Sequence, residues 1–325
     1  MPKRFDAYVL RSGVALACAF VAPSVPAQTY PVKSVRVIVP TGAGGGADAQ
    51  GRLLSKVLSE RMGQTFFVDN RPGASGIIGA ELVAKAPPDG YTLLVTSSLI
   101  AVAAAVYKKL PFDPLKDLTA VSQAASAAQV LVIHPSVPAR SVRELVALAK
   151  QQPGRINAGS AGSGSVNHIA IEMLRQASGI RVTHVPYKSG LAAATALIGG
   201  EVDFIFTGMV QALPIIRTKR ALPIAVTSLK PASALPDVPT MHSLYPEFVS
   251  ANWYAMFAPG GTPQAIVERL GAEVVNAIKT PEIRDFMRTE GADPVGSTPQ
   301  EFAAYLRSEI ERYGKVVRAA NLQQE

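Results

Sequence analysis

The segments Gly42-Ala43-Gly44-Gly45-Gly46-Ala47-Asp48 and Gly159-Ser160-Ala161-Gly162-Ser163-Gly164-Ser165-Val166-Asn167-His168 use one device twice. Each follows a stretch that reads as a strand and opens onto a helical pattern. Lacking Cβ atoms, such turns bring backbone N–H groups close to a ligand, and the helix start adds partial positive charge, so each turn can hold an anion. Two such turns imply one anion gripped from two sides.

Outward from these turns, apolar runs rich in β-branched residues alternate with helical patterns, the signal for parallel-sheet α/β units. Residues 35–39, 66–69 and 92–96 read as strands, with helices over 47–61 and 77–85. The alternation restarts at strand 130–133 and runs through helix 141–150, strand 156–158, helix 166–177 and strand 182–185. It continues through helix 191–199, strand 202–206, helix 210–217 and strand 222–226. Pro231, Pro236, Pro239 and Pro246 then mark an irregular connection, and 253–258 reads as a strand leading out of it. Beyond Pro263 only helical patterns remain, over 264–278, 281–289 and 299–318. Without strands of their own, these helices are expected to pack back on the first unit. The expected architecture is therefore α/β and two-lobed. Lobe I spans 28–124 and 254–325 and lobe II spans 125–253; each has a mainly parallel sheet flanked by helices, and two crossing strands act as a hinge.

The N-terminus reads differently. Lys3, Arg4 and Arg11 precede a small apolar run over 12–21, and Val25-Pro26-Ala27 supplies small residues for cleavage, so residues 1–27 read as a secretory signal. The only cysteine, Cys18, falls inside it; Ala15-Leu16-Ala17-Cys18 faintly resembles a lipoprotein attachment site, a reading ranked below cleavage. Removing three basic residues and one acidic residue with that segment lowers the formal charge from +8 to +6. The remaining basic residues are scattered and aromatics make up only 6%, which argues against nucleic-acid binding. The expectation is a soluble, exported, periplasmic protein.

Gly42 to Ala47 also satisfies the G-x-G-x-x-A dinucleotide pattern, with Asp69 near the place of a ribose-binding acid. Pro40 and Thr41 between strand and glycines, the signal and the lack of an acid–base constellation count against that reading. No Gly-Lys-Ser/Thr follows for a nucleotide triphosphate. Asp48 reads equally as a first-turn carboxylate stabilising its helix or as an acceptor for a ligand group. His168 and Glu172 are four apart, but His134, His184 and His242 lack metal-ligand spacing, so no metal and no cofactor are expected. With no G-x-S-x-G elbow and no mature thiol, catalysis is not expected either. Asn70-Arg71-Pro72-Gly73-Ala74-Ser75-Gly76 is a third turn-to-helix segment, in which Arg71 either pairs with a carboxylate or braces the turn. Tyr187 and Lys188 sit between a strand and a helix, with Lys188 read as solvated, and Trp253 and Tyr254 read as hinge packing or cleft lining.

A family resemblance joins these pieces. Val39-Pro40 with Ala43 to Asp48, Asp69 to Gly76, Pro88-Asp89-Gly90-Tyr91-Thr92, Ser165-Val166-Asn167-His168, His184-Val185-Pro186-Tyr187-Lys188, Leu235-Pro236-Asp237-Val238-Pro239 and Ala258-Pro259-Gly260-Gly261-Thr262-Pro263 follow one another along nearly the whole mature chain. In these the chain resembles the extracytoplasmic solute receptors of the Bug type, the binding components of tripartite tricarboxylate transporters. The resemblance implies a periplasmic receptor, here expected as a monomer, that closes on a small carboxylate and delivers it to an inner-membrane permease. A signalling partner in place of the permease is the alternative. It implies ligand contacts at Ala43, Gly44, Gly45, Gly46 and Asp48, at Ala74, Ser75 and Gly76, at Ser97, and at Gly162, Ser163, Gly164, Ser165, Asn167 and His168, with Tyr187 and Thr207 beside them. Thr41 stands where the family often has an aromatic residue, and Thr207-Gly208 where many members have Asp-Asn. The second departure removes a partner for a ligand amine, favouring a di- or tricarboxylate or an aromatic acid over an amino acid.

Overall fold

In chain order the strands are β1 (Val35–Val39), β2 (Phe66–Asn70), β3 (Thr92–Ser97), β4 (Leu118–Ile133), β5 (Asn157–Ser160), β6 (Thr183–Pro186), β7 (Phe204–Gly208), β8 (Leu222–Val226), β9 (Ala251–Pro259) and β10 (Asp293–Pro294). The helices are α1 (Gly46–Met62), α2 (Ile77–Ala84), α3 (Leu99–Val106), α4 (Val142–Gln151), α5 (Val166–Ser178), α6 (Gly190–Ile198), α7 (Met209–Arg217), α8 (Gln264–Ile278), α9 (Pro281–Thr289) and α10 (Pro299–Ala319). These come from a computed structural model that describes residues 1, 30–289 and 291–324. Met1 apart, the signal reading and Cys18 fall outside the described residues. Among those residues, no helix is long and apolar enough to cross a membrane.

β1 pairs in parallel with β2 and β3, and β5 pairs in parallel with β6 and β7. These two parallel triplets are joined through antiparallel strands. β9 lies between β3 and the first part of β4, with Leu118 opposite Pro259 and Ala128 opposite Ala251. From Gln129 to Ile133, β4 changes partners and pairs with β7 and β8. One 16-residue strand therefore belongs to two sheets, and the chain returns beside it, where Ser250 N donates to Thr227 O and Thr227 N to Gln129 O. Both sheets lie within the single compact unit Pro31–Glu325.

The helices form where an apolar stripe meets a capping signal. α1 buries Leu53, Leu54, Val57, Leu58 and Met62 and ends at Gly63 in the left-handed conformation. α10 starts with a capping box between Thr298 and Glu301. It buries Phe302 against the rings of Trp253 and Phe257, with centroids 5.5 and 5.0 Å away. α8 and α10 both pack on β4, and α10 also covers α3 and reaches α5, where Gln176 Nε2 donates to Val316 O at 3.1 Å. α3 and the first three-quarters of β4, 118–129, are absent from the sequence reading. Leu99–Val106 is apolar all round and has no helical period to detect, and 119–129 is mostly Ala, Ser and Gln, weak strand formers that β9 holds in place.

Candidate functional site

The first glycine turn leaves β1 and enters α1 with Gly44 at φ 85°. Its N–H donates to Oδ2 of the buried Asp48 at 3.0 Å; the same oxygen accepts from Arg52 Nε at 3.0 Å, and Oδ1 accepts from Asn70 Nδ2 at 2.9 Å. Burial alone would raise the Asp48 pKa, but hydrogen bonds from Arg52, the Gly44 amide and Asn70 outweigh it and hold the carboxyl below the usual range. Asp48 thus folds its own loop. The helix N-cap is Gly45, which brings no side-chain cap, so the first-turn amides at Gly46 and Ala47 have no side-chain partner from the cap position. Behind the turn, Arg36 and Arg71 both bond Asp69, so Arg71 braces this corner.

The second turn repeats the arrangement with different chemistry. Gly164, at φ 73°, donates its N–H to Nδ1 of buried His168 at 3.0 Å, while the N-cap Ser165 Oγ accepts from His168 N. The imidazole of His168 stacks on that of His184, with centroids 3.8 Å apart and planes 8° from parallel. Its Nε2 faces Glu172 Oε1 at 3.5 Å, and Glu172 is paired to Arg175 at 2.6 Å. Burial works against ionisation of Glu172, but hydrogen bonds from His168 and Arg175 win and lower its pKa. Burial, then the neighbouring His168, lowers His184 to about 4.

Both turns open on one cavity of about 360 Å³ between the two sheets. Of the residues singled out from sequence, Gly44, Gly45, Gly46, Ser97, Ser165, Asn167, Thr207 and Tyr254 line it. A smaller chamber of about 210 Å³ adjoins it, bordered by Ser75, Ser163, Gly164 and again Ser165. Gly76 borders a narrow apolar crevice beside Ser75. Asp48 and His168 stand behind the turns, and Ala43, Ala74 and Gly162 line neither of the two larger cavities. Tyr187 lies on a separate open depression, its hydroxyl 3.2 Å from Glu201 Oε2. Gly73 to Gly76 is a run of four positive φ angles that includes Ala74 (45°) and Ser75 (53°).

Several lining residues escaped the sequence reading. Asn167 Nδ2 donates to Gln129 Oε1 and to Phe206 O, and Gln129 Nε2 donates to Ser250 Oγ, tying the second turn to the chain return. Asn252 donates to the Tyr254 hydroxyl and accepts from Ser98 Oγ. That hydroxyl lies so close over Gly46 that it leaves no room for a Cβ there. Trp253 faces the other way, buried with its Nε1 on Glu309 Oε2.

No Asp, Glu, Lys, Arg or His lines either cavity. The chemistry available to a ligand is therefore neutral: loop amides, hydroxyls, carboxamides and two phenols, Tyr254 and Tyr107. Amides at a helix start suit an anion, and the absence of a carboxylate leaves an ammonium unmatched. Among the described residues, no group of three or more His, Cys, Asp or Glu is placed to hold a metal ion.

Protein BugT of Bordetella pertussis is 35% identical over 309 residues, covering 94% of this chain and 95% of BugT. The structure of R. palustris Rpa4515 with adipate superposes with a TM-score of 0.78 at 33% identity, over 90% of this chain and 98% of that one. MatC from Rhodopseudomonas palustris with bound malate gives 0.74 at 31% identity, over 89% and 100% of the two chains. The model of the tripartite tricarboxylate transporter family receptor matches residues 51–322, and the chain belongs to that family of solute receptors, TctC.

Proposed function

We propose that this protein is a periplasmic receptor that captures a small carboxylate between two lobes and hands it to a membrane permease of the tripartite tricarboxylate type. The supporting observation is that two glycine turns, 120 residues apart in sequence at Gly44 and Gly164, face adjoining cavities whose lining carries no charge. The ligand carboxylate would meet the first-turn amides of α1 from one side and those of α5 from the other. Binding would then favour the closed arrangement of the lobes 28–124 with 254–325 and 125–253, hinged where β4 changes sheets. Hydrogen bonds to a charged group contribute about 1.5–3 kcal/mol each, so four or five reach the roughly 8 kcal/mol of micromolar binding after the cost of ordering. The carboxylates bound by Rpa4515 and MatC support the ligand class.

A thermal-shift panel of carboxylic acids and their amides tests this reading. A true ligand at 100 times its dissociation constant adds about 2.7 kcal/mol of stability, and its amide adds none. A panel in which amides stabilise as well as acids would remove the carboxylate from the proposal. Recovery of the bound acid unchanged after prolonged incubation separates a receptor from an enzyme.

A further inference from the structure

We propose that the solute carries an apolar body of several carbons beside its carboxylate, and that this body lies along α3 in the smaller chamber. The inference rests on the carboxylate reading and narrows it. The two cavities share Leu99, Ala161 and Ser165, so an extended molecule held at the glycine turns continues past these residues into the second space. One wall of that space is a helical stripe, Leu99, Val102, Ala103 and Val106, at spacing i, i+3, i+4, i+7. Val102, Ala103 and Val106 are buried, in a helix that is apolar all round and packs on α10, and together with Leu99 they also border the chamber. The opposite wall is the second glycine turn, at Ser163 and Gly164, and no cation stands at the far end. A second carboxylate placed there would have Ser75, Tyr107 and Gln324 as its further polar neighbours and would lose water against the four apolar side chains. A methylene chain or an aromatic ring gains instead, by about fourfold in affinity for each CH₂ buried, which is what about 0.8 kcal/mol amounts to.

Titration calorimetry on the full chain with the unbranched monocarboxylates from acetate to octanoate, and with succinate, tests this. The expected result is affinity rising about fourfold per added carbon until the chamber is full, with hexanoate tighter than succinate. Ala103→Phe, which puts a ring into the chamber, is expected to weaken hexanoate about tenfold or more and to leave acetate within about twofold. Hexanoate binding no tighter than acetate, or unchanged hexanoate binding in folded Ala103→Phe, overturns the proposal. The chain-length series needs no variant, so poor folding of Ala103→Phe does not blunt it. Succinate binding without hexanoate binding removes the apolar body and leaves the carboxylate receptor standing; failure of every acid removes both.

Discussion

The Gly44 N–H donates to Asp48 Oδ2 at 3.0 Å, four residues on, and Asp48 is joined in turn to Arg52, four residues further. The second turn has the same spacing with other residues: Gly164 N–H to His168 Nδ1 at 3.0 Å, and His168 facing Glu172. In both, a glycine with positive φ turns its amide inward to an acceptor on the first turns of the helix. That amide is spent on shape, and in the second turn so is the next, with Ser165 N bonded to Gly162 O. Each helix thus carries its own template for the loop before it.

Removing the template tests this directly. Asp48→Ala leaves the Gly44 amide, Asn70 and Arg52 without their shared acceptor, and is expected to cost about 1.5–3 kcal/mol in urea unfolding and to weaken ligand binding. Asp48→Asn keeps an acceptor oxygen for Gly44 and is expected to fall between. A ligand contact without a bracing role would instead give Asp48→Ala full stability with lost affinity.

Gly45 separates ligand contact from folding. Its backbone sits at φ −85° and ψ 167°, open to any residue, and a Cβ there meets nothing closer than 3.8 Å. Gly45→Val is therefore expected to keep the melting temperature within about 2 °C while its branched side chain blocks the cavity and abolishes binding. Gly44→Val confounds the two effects, since its φ of 85° adds backbone strain of about 1 kcal/mol. Gly45→Val binding with native affinity would remove the first turn from the site.

The stacked histidines predict an acid limit. His184 titrates near 6.5 in the unfolded chain and near 4 in the folded one. Between these values the unfolded chain takes up a proton that the buried ring refuses, so stability falls as pH drops through that window and the loss is complete below about 4. The expected loss is about 1–3 kcal/mol, since the ring is partly exposed and solvent screens the full shift. The groups facing it, His168, Glu172 and Arg175, keep the sign, because burial and the neighbouring His168 outweigh the Glu172 carboxylate. Asp48, Asp69 and Glu172, all lowered, withdraw their stability only below the ordinary carboxylate range. His184→Gln should start less stable and lose the slope between pH 6.5 and 4. Denaturant midpoints measured across pH 3–8 decide it.

What the sequence shows and what it hides follow one physical rule. The turns are legible because positive φ and close approach select glycine, and β1, α1 and α5 are legible because burial on one face leaves a period. Gln129 and Asn252 are ordinary polar residues in strands; only the pairing of β4 with β9 and β7 brings Gln129 to Asn167, 38 residues on, and Asn252 to Ser98, 154 residues back. Tyr187 occupies the same strand-to-helix position as the glycine turns, yet its ring turns to Glu201, a direction that position alone does not fix. The long first part of β4 carries no strand signal because its Ala, Ser and Gln side chains are weak strand formers that pairing with β9 holds in place.

The corner at Ala74 and Ser75 stores strain that can be released. Both are exposed and both hold left-handed φ angles, 45° and 53°, which cost a side-chain-bearing residue about 1–2 kcal/mol. Ala74→Gly relieves that cost against a smaller entropic cost of fixing glycine, about 0.5–1 kcal/mol, for a net gain of about 0.5–1 kcal/mol in thermal unfolding. A destabilised Ala74→Gly would show that the turn is held by contacts of the methyl group.

Thr207 offers a change of selectivity. It lines the main cavity, 2% exposed, at the end of β7 beside Gly208, where no carboxylate faces the ligand. An amino acid would bury its ammonium there without a partner, so the native chain is expected to prefer plain acids. Thr207→Asp supplies that partner in a site of similar volume. A charge-assisted hydrogen bond of about 1.5–3 kcal/mol corresponds to a gain of about ten- to a hundredfold for an α-amino acid, and the added negative charge weakens the matching plain acid. Thr207→Asn has nearly the same shape without the charge and should show neither change. Calorimetry with an amino acid and its deaminated counterpart on all three proteins reads the effect. Equal gains in Thr207→Asp and Thr207→Asn would assign the change to shape, and no gain in a folded Thr207→Asp would place the ligand's α-carbon away from β7.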